Sequence, residues 1–407
     1  MYVHGIRSLF SFPGYVLLKL QLDGELAAVT LRRDGRCRLT CPHCGQRMTP
    51  SRSVWQMARD LPLGLAGTVM IHYEAIQGRC LSCHRYATVR PVGIDEHARA
   101  TGRLMRYVSQ LARHLPLNHI ADVVPGVDET TAGRWDRKML SASLPEPNLD
   151  NLRVLLVDEK SIRKHHSYYT LVLNGETGEL LHMGPGKKKD SLLGFYDKLT
   201  TPQKQGIEAV AMDRSKAYIS ATQQALPDAK IVYDKFHLIA NYNDVIDRVR
   251  RLEYRKADHK AKQVIVGQRF NLFRNPGNLK DHQRRDLNAL LEINRNLTIA
   301  YVLKEALRDI WMQYKRHHAE HDLNWWIERA RESAIKPLII FAGILHKARD
   351  QILNYIDHPI TTGPLEGFNN LIARLLHRAC GYKDMNYLYL KLRQESLKRS
   401  RQIRLQE

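Results

Sequence analysis

The sequence predicts a multidomain chain: β structure first, then α, then an α/β domain interrupted by an all-α stretch. Three observations carry this. Residues 1–92 read as short apolar strands between turns, residues 95–140 space their apolar side chains at three- and four-residue steps, and from residue 151 buried-strand patterns alternate with helical ones. A length of 407 residues suits two or three domains, and a hydrophobic share of 43% excludes a largely disordered chain.

Charge narrows the field of partners. With 63 Lys+Arg against 42 Asp+Glu the net charge is +21, which points to a polyanion, nucleic acid before an acidic membrane surface. The plainer alternative is a basic but ordinary enzyme. Five of the six cysteines fall before residue 84, which is not a secreted disulfide framework. No stretch reaches the ~20 apolar residues of a membrane span. The best candidate, residues 9–20, is broken by Pro13-Gly14, carries Lys19 and lacks a small-residue cleavage site, so it is not read as a signal peptide. A soluble intracellular protein is expected.

Within residues 1–92, Tyr15-Val-Leu-Leu-Lys-Leu20 and Thr68-Val-Met-Ile71 have β character. Cys41-Pro-His-Cys44 and Cys80-Leu-Ser-Cys83 are two tight turns, each offering two thiolates. Two such turns complete a tetrahedral site, and strands between them make the module a zinc ribbon with Cys41, Cys44, Cys80 and Cys83 as ligands. Four protein ligands leave no open position, so the Zn2+ is structural. Cys37, His43 and His84 are alternative ligands of poorer fit, and the paired spacing argues against cysteines that merely pack. Cys380 stands alone in a helical context and reads as a small core residue.

Residues 93–140 contain Leu104, Val108, Leu111 and Leu115 at helical spacing, followed by a helix-turn-helix pattern. A short helix with Ile120, Ala121 and Val124 is broken by Pro125-Gly126, Val127 plugs the turn, and Asp128 caps a second helix. That helix turns Trp135 inward and carries Thr130, Thr131, Arg134, Arg137 and Lys138 as candidate DNA contacts. A plain helical hairpin is the alternative; the ribbon and the charge favour DNA. Residues 141–150, with two prolines and no period, read as a linker.

Residues 151–250 follow a β-β-β-α-β-α-β-α order, the RNase H pattern. The first strand ends in Asp158, the fourth in Asp213, and the fifth leads to Asp234. In that fold the first and fourth strands are neighbours, so the two acids face each other. Crowded carboxylates repel and call for cations, and Mg2+ (two ions, with Mn2+ as a substitute) keeps positions for phosphate and water. The third acid is Glu366, which follows a Gly-Pro turn and opens an apolar-periodic helix of Phe368, Leu371, Ile372 and Leu375. Taken singly, Glu366 fits a first-turn dipole partner and the aspartates fit strand-end turns; only the joint arrangement speaks for a site. Residues 251–360, helical and highly charged, read as an insertion in the catalytic domain, and residues 361–407 as a catalytic helix with a basic tail. Lys187-Lys-Lys189 is either a phosphate contact or a solvated turn. Of Trp325-Trp326, a helical core position is preferred to base stacking.

These residues resemble the ISL-three family of bacterial insertion-sequence transposases. The resemblance rests on Val157-Asp-Glu-Lys-Ser-Ile-Arg-Lys-His-His-Ser-Tyr-Tyr169, Ala211-Met-Asp213, Ile231-Val-Tyr-Asp-Lys-Phe-His237, Gly363-Pro-Leu-Glu-Gly-Phe-Asn-Asn370 and Gly381-Tyr382. The amino-terminal knuckles and Arg59-Asp-Leu-Pro-Leu-Gly64 add to it. It implies that Asp158, Asp213 and Glu366 are the catalytic acids and that Asp234 and His237 support them. It also implies metal-dependent cleavage and strand transfer of double-stranded DNA at terminal inverted repeats and a target, by a homo-oligomer in the bacterial cytoplasm at the nucleoid. Asn174, where many relatives carry an acid, and Ala379-Cys380, where an aromatic is common, depart from the pattern without touching the acids. The rival readings are a non-catalytic DNA-binding regulator and an RNase H-type nuclease.

Overall fold

The computed structural model describes residues 8–63, 67–163 and 167–404, with the side chains of 163, 167 and 398–404 left aside. Gly64, and residues 164–166 of the run quoted above, therefore lie outside the described residues. Two compact units emerge. One holds the residues up to Pro145 together with Arg374–Gln394; the other holds Glu146–Ala373 together with the residues from Glu395 onward. No helix among the described residues is long and apolar enough to cross a membrane.

The first unit is built on seven strands: β1 (Tyr15–Asp23), β2 (Leu26–Arg33), β3 (Met48–Asp60), β4 (Thr68–Cys80), β5 (Tyr86–Val89), β6 (Ile94–Asp95) and β7 (Ala100–Thr101). Their order is β1-β2-β4-β3-β7-β6, with β5 paired to β4. Along β2 and β4 alternate residues turn inward, so Ala27, Val29 and Leu31 pack with Val69, Ile71, Tyr73 and Ala75 under Phe10 and Phe12. β3 and β4 are long antiparallel partners whose register opens at Met48↔Cys80. The segment before β3 and the segment after β4 thus share one end of the sheet, and each carries a cysteine knuckle.

Three helices follow: α1 (Gly102–Leu111), α2 (Leu117–Val123) and α3 (Glu129–Ser143). Helical structure begins at Gly102 rather than near residue 95, because Ala100 pairs with Arg59 and Ile94 with Thr101 to extend the sheet. Thr101 caps α1 by accepting from the Leu104 N–H. At the other end α3 runs three residues into the segment read as linker, with the Leu144 N–H still bonded to the Leu140 carbonyl.

In the second unit β8 (Val154–Arg163), β9 (Ser167–Asn174), β10 (Leu180–Pro185), α4 (Lys189–Tyr196), α5 (Thr201–Gln205), β11 (Ala209–Met212), α6 (Lys216–Ala225) and β12 (Lys230–Tyr233) follow the expected succession, with the short α5 added. The sheet order is β10-β9-β8-β11-β12. β9 runs antiparallel to both of its neighbours, whereas β8, β11 and β12 are mutually parallel. The first and fourth strands of this unit are therefore adjacent.

Helices then run from Lys235: α7 (Lys235–Lys256), α8 (His259–Ile265), α9 (Arg269–Phe273), α10 (Asp281–Ile293), α11 (Arg295–Asp309), α12 (Arg316–Glu332), α13 (Lys336–Lys347) and α14 (Arg349–Asp357). One hydrophobic core joins sheet and helices, from Leu155 and Met212 through Tyr242 to Trp326 and Phe341. The last three rings meet with centroids 5.1–5.8 Å apart. Trp326 is fully buried, and its Nε1 donates to the Leu303 carbonyl at 2.6 Å. Trp325 is 41% exposed. The chain ends in α15 (Gly363–Arg378) and α16 (Met385–Arg404).

Candidate functional site

Parallel pairing of β8 with β11 aligns Val154 with Ala209, Leu155 with Val210 and Leu156 with Ala211. Extended two residues, the same register brings Asp213 level with Asp158. Alternation along the strands puts both acids on the face of Leu156 and Ala211, opposite the face that Leu155, Val157, Val210 and Met212 give to the main core. Asp158 is half-buried. Its Oδ1 accepts from the Glu159 N–H at 2.8 Å and its Oδ2 from Asn369 Nδ2 at 2.7 Å. Burial raises its pKa, against those two hydrogen bonds. Asp213 Oδ1 accepts from the Ser215 N–H at 3.0 Å, which fixes the turn into α6.

Asp234 leaves β12 and caps α7, accepting from the Phe236 N–H at 2.8 Å. The same carboxylate binds His237 Nδ1 at 2.7 Å and accepts from Thr362 Oγ1 at 3.0 Å. Burial would raise the Asp234 pKa, but these donors together hold it below the ordinary carboxylate range. His237 is raised, first by its hydrogen bond to Asp234 and, against the opposing effect of burial, by the charges of Asp234, Asp158 and Asp213, so it holds its proton more readily than a free imidazole. A cavity of about 430 Å³ lies here, lined among others by Glu159, Lys187, Asp213, Arg214, Asp234 and His237.

Glu366 is exposed in the first turn of α15. The chain on either side of it is tied to the site: Thr362 to Asp234, and Asn369, one helical turn later, to Asp158. The three carboxylates stand wider than the cysteines. Among the described residues only Cys41, Cys44, Cys80 and Cys83 form a group of three or more metal-ligand side chains whose ligand atoms all lie within 4.8 Å. Asn369 is the functional candidate that reading the sequence left without a role. Its Nδ2 faces Asp158 while its Oδ1 is buried and, among the described residues, has no hydrogen-bond partner. A spare buried acceptor beside a half-buried carboxylate fits an oxygen-liganded cation or its water. The only hint in the sequence is the Asn369-Asn370 pair after Glu366.

The cysteine quartet has the donor set and size for Zn2+. Sγ–Sγ separations are 3.8 Å for Cys41–Cys83 and 3.5 Å for Cys44–Cys80, near the ~3.8 Å edge of a tetrahedron with 2.3 Å zinc–sulfur bonds. Gly45 (φ +72°) and His84 (φ +56°) occupy equivalent left-handed positions after the second cysteine of each knuckle. The backbone N–H of Cys83 is the largest influence pulling the Cys80 thiol down to about 6. Cys37 is exposed and stands outside the quartet, as do His43 and His84. Cys380 is no core residue: it is exposed, with φ +51°, at the end of α15, where Gly381 donates to the Leu376 carbonyl at 2.8 Å.

In the helical pair α2–α3, Ile120, Val124, Val127 and Trp135 are buried, whereas Ala121 is exposed. Asp128 caps α3 through the Thr131 N–H at 2.7 Å. Thr130 and Arg134 are exposed, and Thr131 donates to Asp128 Oδ2. Arg137 pairs with Asp384 at 3.1 Å and lies over the Tyr387 ring, and Lys138 pairs with Asp95, so both already have acidic partners. Asp136, between Trp135 and Arg137, is wholly buried. It accepts from Ser109 Oγ at 2.6 Å, from Lys391 Nζ at 2.9 Å and from the Tyr387 hydroxyl.

A family model for DDE transposases of the ISL3 type, described as "Transposase", matches residues 155–392. The "Transposase for insertion sequence element IS1001" of Bordetella parapertussis is 31% identical over 395 residues, covering 95% of this chain and 97% of the relative. The "Transposase for insertion sequence element IS1557" from two strains of Mycobacterium tuberculosis is 27% identical over 257 residues, 58% of each chain.

Proposed function

The chain belongs to the ISL-three family of insertion-sequence transposases, and from that membership we propose that it cuts double-stranded DNA at terminal inverted repeats and joins the freed 3′ ends to a target. The observation that carries this reading is the placement of Asp158 and Asp213 level on adjacent parallel strands, with Thr362 and Asn369 tying the Glu366 helix start to the same cluster. Asp158, Asp213 and Glu366 are the proposed catalytic acids of an RNase H-like core (151–250), and the helices of 251–360 are its insertion. Residues 361–407 supply the third acid and a basic tail. The zinc ribbon (1–92) and helix-turn-helix (93–140) recognise the DNA ends, with Thr130 and Arg134 the most available contacts. Work on paired ends in the bacterial cytoplasm by a homo-oligomer belongs to the same proposal.

Each side chain has a task. Asp158, Asp213 and Glu366 would hold divalent cations, Mg2+ or Mn2+. When bound, such ions lower the pKa of an attacking water or 3′-hydroxyl and offset charge on the leaving oxygen. Asn369 fixes the carboxylate of Asp158 through Nδ2, so the acid is oriented before substrate arrives. Asp234 engages His237 at Nδ1, leaving Nε2 as the ring nitrogen available to the cavity. As an imidazolium, His237 offsets negative charge on a phosphate and can give a proton to a leaving oxygen. The cysteine quartet, with Zn2+, holds the knuckles without joining the chemistry.

Incubating the full chain with DNA carrying the inverted repeats and Mg2+ tests this. Cleaved ends followed by joined products are expected. Asp158→Asn, Asp213→Asn and Glu366→Gln should each abolish both steps while keeping DNA binding. Retained cleavage in any of the three overturns the assignment of that acid. Cleavage without joined products turns the reading to a nuclease.

A further inference from the structure

Two cations on the cavity wall have no part in the three-acid chemistry. Lys187 follows Gly186 (φ +86°) where β10 ends. Its Nζ lies 3.5 Å from Glu159 Oε1 and 3.8 Å from the centre of the Tyr168 ring. Arg214 follows Asp213 directly and is exposed. Among the described residues its guanidinium has no hydrogen-bond or ion-pair partner. Both side chains line the cavity that Asp213, Asp234 and His237 also line.

Carboxylates alone would repel the DNA they act on, since every phosphodiester carries a negative charge. Cations at the rim offset that repulsion where the backbone enters. The Lys187–Glu159 pair is long and its partners are 47% and 29% exposed, so exchanging Glu159 for a phosphate costs Lys187 little. The Arg214 guanidinium offers a planar fork matched to two phosphate oxygens. A cavity of about 430 Å³ holds a nucleotide rather than a lone phosphate, so it accommodates a second phosphodiester beside the reacting one.

We infer that Lys187 and Arg214 clamp a backbone phosphate next to the scissile one and so position the strand over the acids. The inference rests on the transposase reading. In this role both are positioning residues: they set where the strand lies and take no part in bond making.

The test uses the full chain, Mg2+ and end-containing DNA with single methylphosphonates placed successively around the cut. Neutralising one adjacent phosphate should slow cleavage by the unaltered chain about 10²-fold at saturating DNA. Lys187→Gln and Arg214→Gln should slow the natural substrate comparably, with little change in affinity for the ends. On the neutralised substrate neither variant should lose more, whereas Lys187→Arg should recover part of the rate. Variants that cut at the unaltered rate overturn the clamp, as do losses that multiply at every neutralised position. The scan on the unaltered chain needs no variant to fold, and the absence of any sensitive adjacent phosphate overturns the clamp by itself. If the unaltered chain binds the ends yet never cuts, the transposase reading fails and the clamp falls with it.

Discussion

Replacing Asp136 by alanine removes a carboxylate with no solvent exposure from the centre of the first unit. Lys391 is 2% exposed and lies 2.9 Å from it, and Ser109 and Tyr387 donate to the same group. Burial and the neighbouring carboxylate push the Tyr387 phenol far above its usual range, so it remains a donor. Taking one partner from a buried ion pair costs about 3–5 kcal/mol. For a unit of this size that is a fall of roughly 6–20 °C in its unfolding midpoint. Lys391→Met should cost less, about 3 kcal/mol, because Asp136 keeps two hydroxyl donors. The double variant Asp136→Ala/Lys391→Met removes both charges and should fall short of the summed single costs by about 2–3 kcal/mol. Thermal unfolding, with hydrogen exchange read on peptides from α1, α3 and α16, measures each corner of the cycle. Additivity within about 0.5 kcal/mol, or a cost below about 1 kcal/mol for Asp136→Ala, would refute the argument.

Other outcomes are equally concrete. Cys80→Ser should drop bound zinc below one ion per chain by metal analysis and expose the 41–89 region to hydrogen exchange, leaving β8 and β11 protected; unchanged metal content contradicts the quartet. Trp326→Ala should destabilise the second unit by about 3–5 kcal/mol in urea unfolding, whereas Trp325→Ala should stay within about 0.5 kcal/mol. His237→Gln should change how stability depends on pH. The raised His237 contributes stability that is complete below the ordinary histidine value near 6.5 and lost as pH rises through its folded value. The lowered Asp234 contributes above the ordinary carboxylate value and loses its share as pH falls through its folded value. The difference in urea midpoint between the two chains should therefore peak in the window between and vanish on the alkaline side; a pH-independent difference would sink the pairing.

Local chemistry was the legible part. The β-β-β-α-β order let the strand-end acids be read as neighbours, and the 55-residue gap between Asp158 and Asp213 equals the offset of the parallel β8–β11 register. Doubled cysteines announced their turns, and Pro125-Gly126 and Val127 marked the break between α2 and α3. What sequence reading missed was non-local. Asp136 sits among polar residues on α3 and carries no sign that Lys391, 255 positions away, neutralises it. Arg137 and Lys138 look like free cations until the fold brings Asp384 and Asp95 to them. Asn369 has no periodic signature, because an amide that holds a carboxylate looks like any other surface amide. The helix expected after Asp234 runs beyond residue 250 to Lys256, because its inward face packs on helices far along the chain.

The division of the final helices has a consequence for how the protein comes into being. Gly363 to Ala373 belong with the second unit, whereas Arg374–Gln394 belong with the first. On the ribosome, where folding proceeds from the amino terminus as segments emerge, neither unit can finish early. The amino-terminal unit waits for the lysine at 391, and Asp158 at the end of the sheet waits for the amide at 369. A chain released before those codons are read would lack both the cation that neutralises Asp136 and the amide that holds Asp158. Synthesis past residue 391 becomes the step after which both units can close.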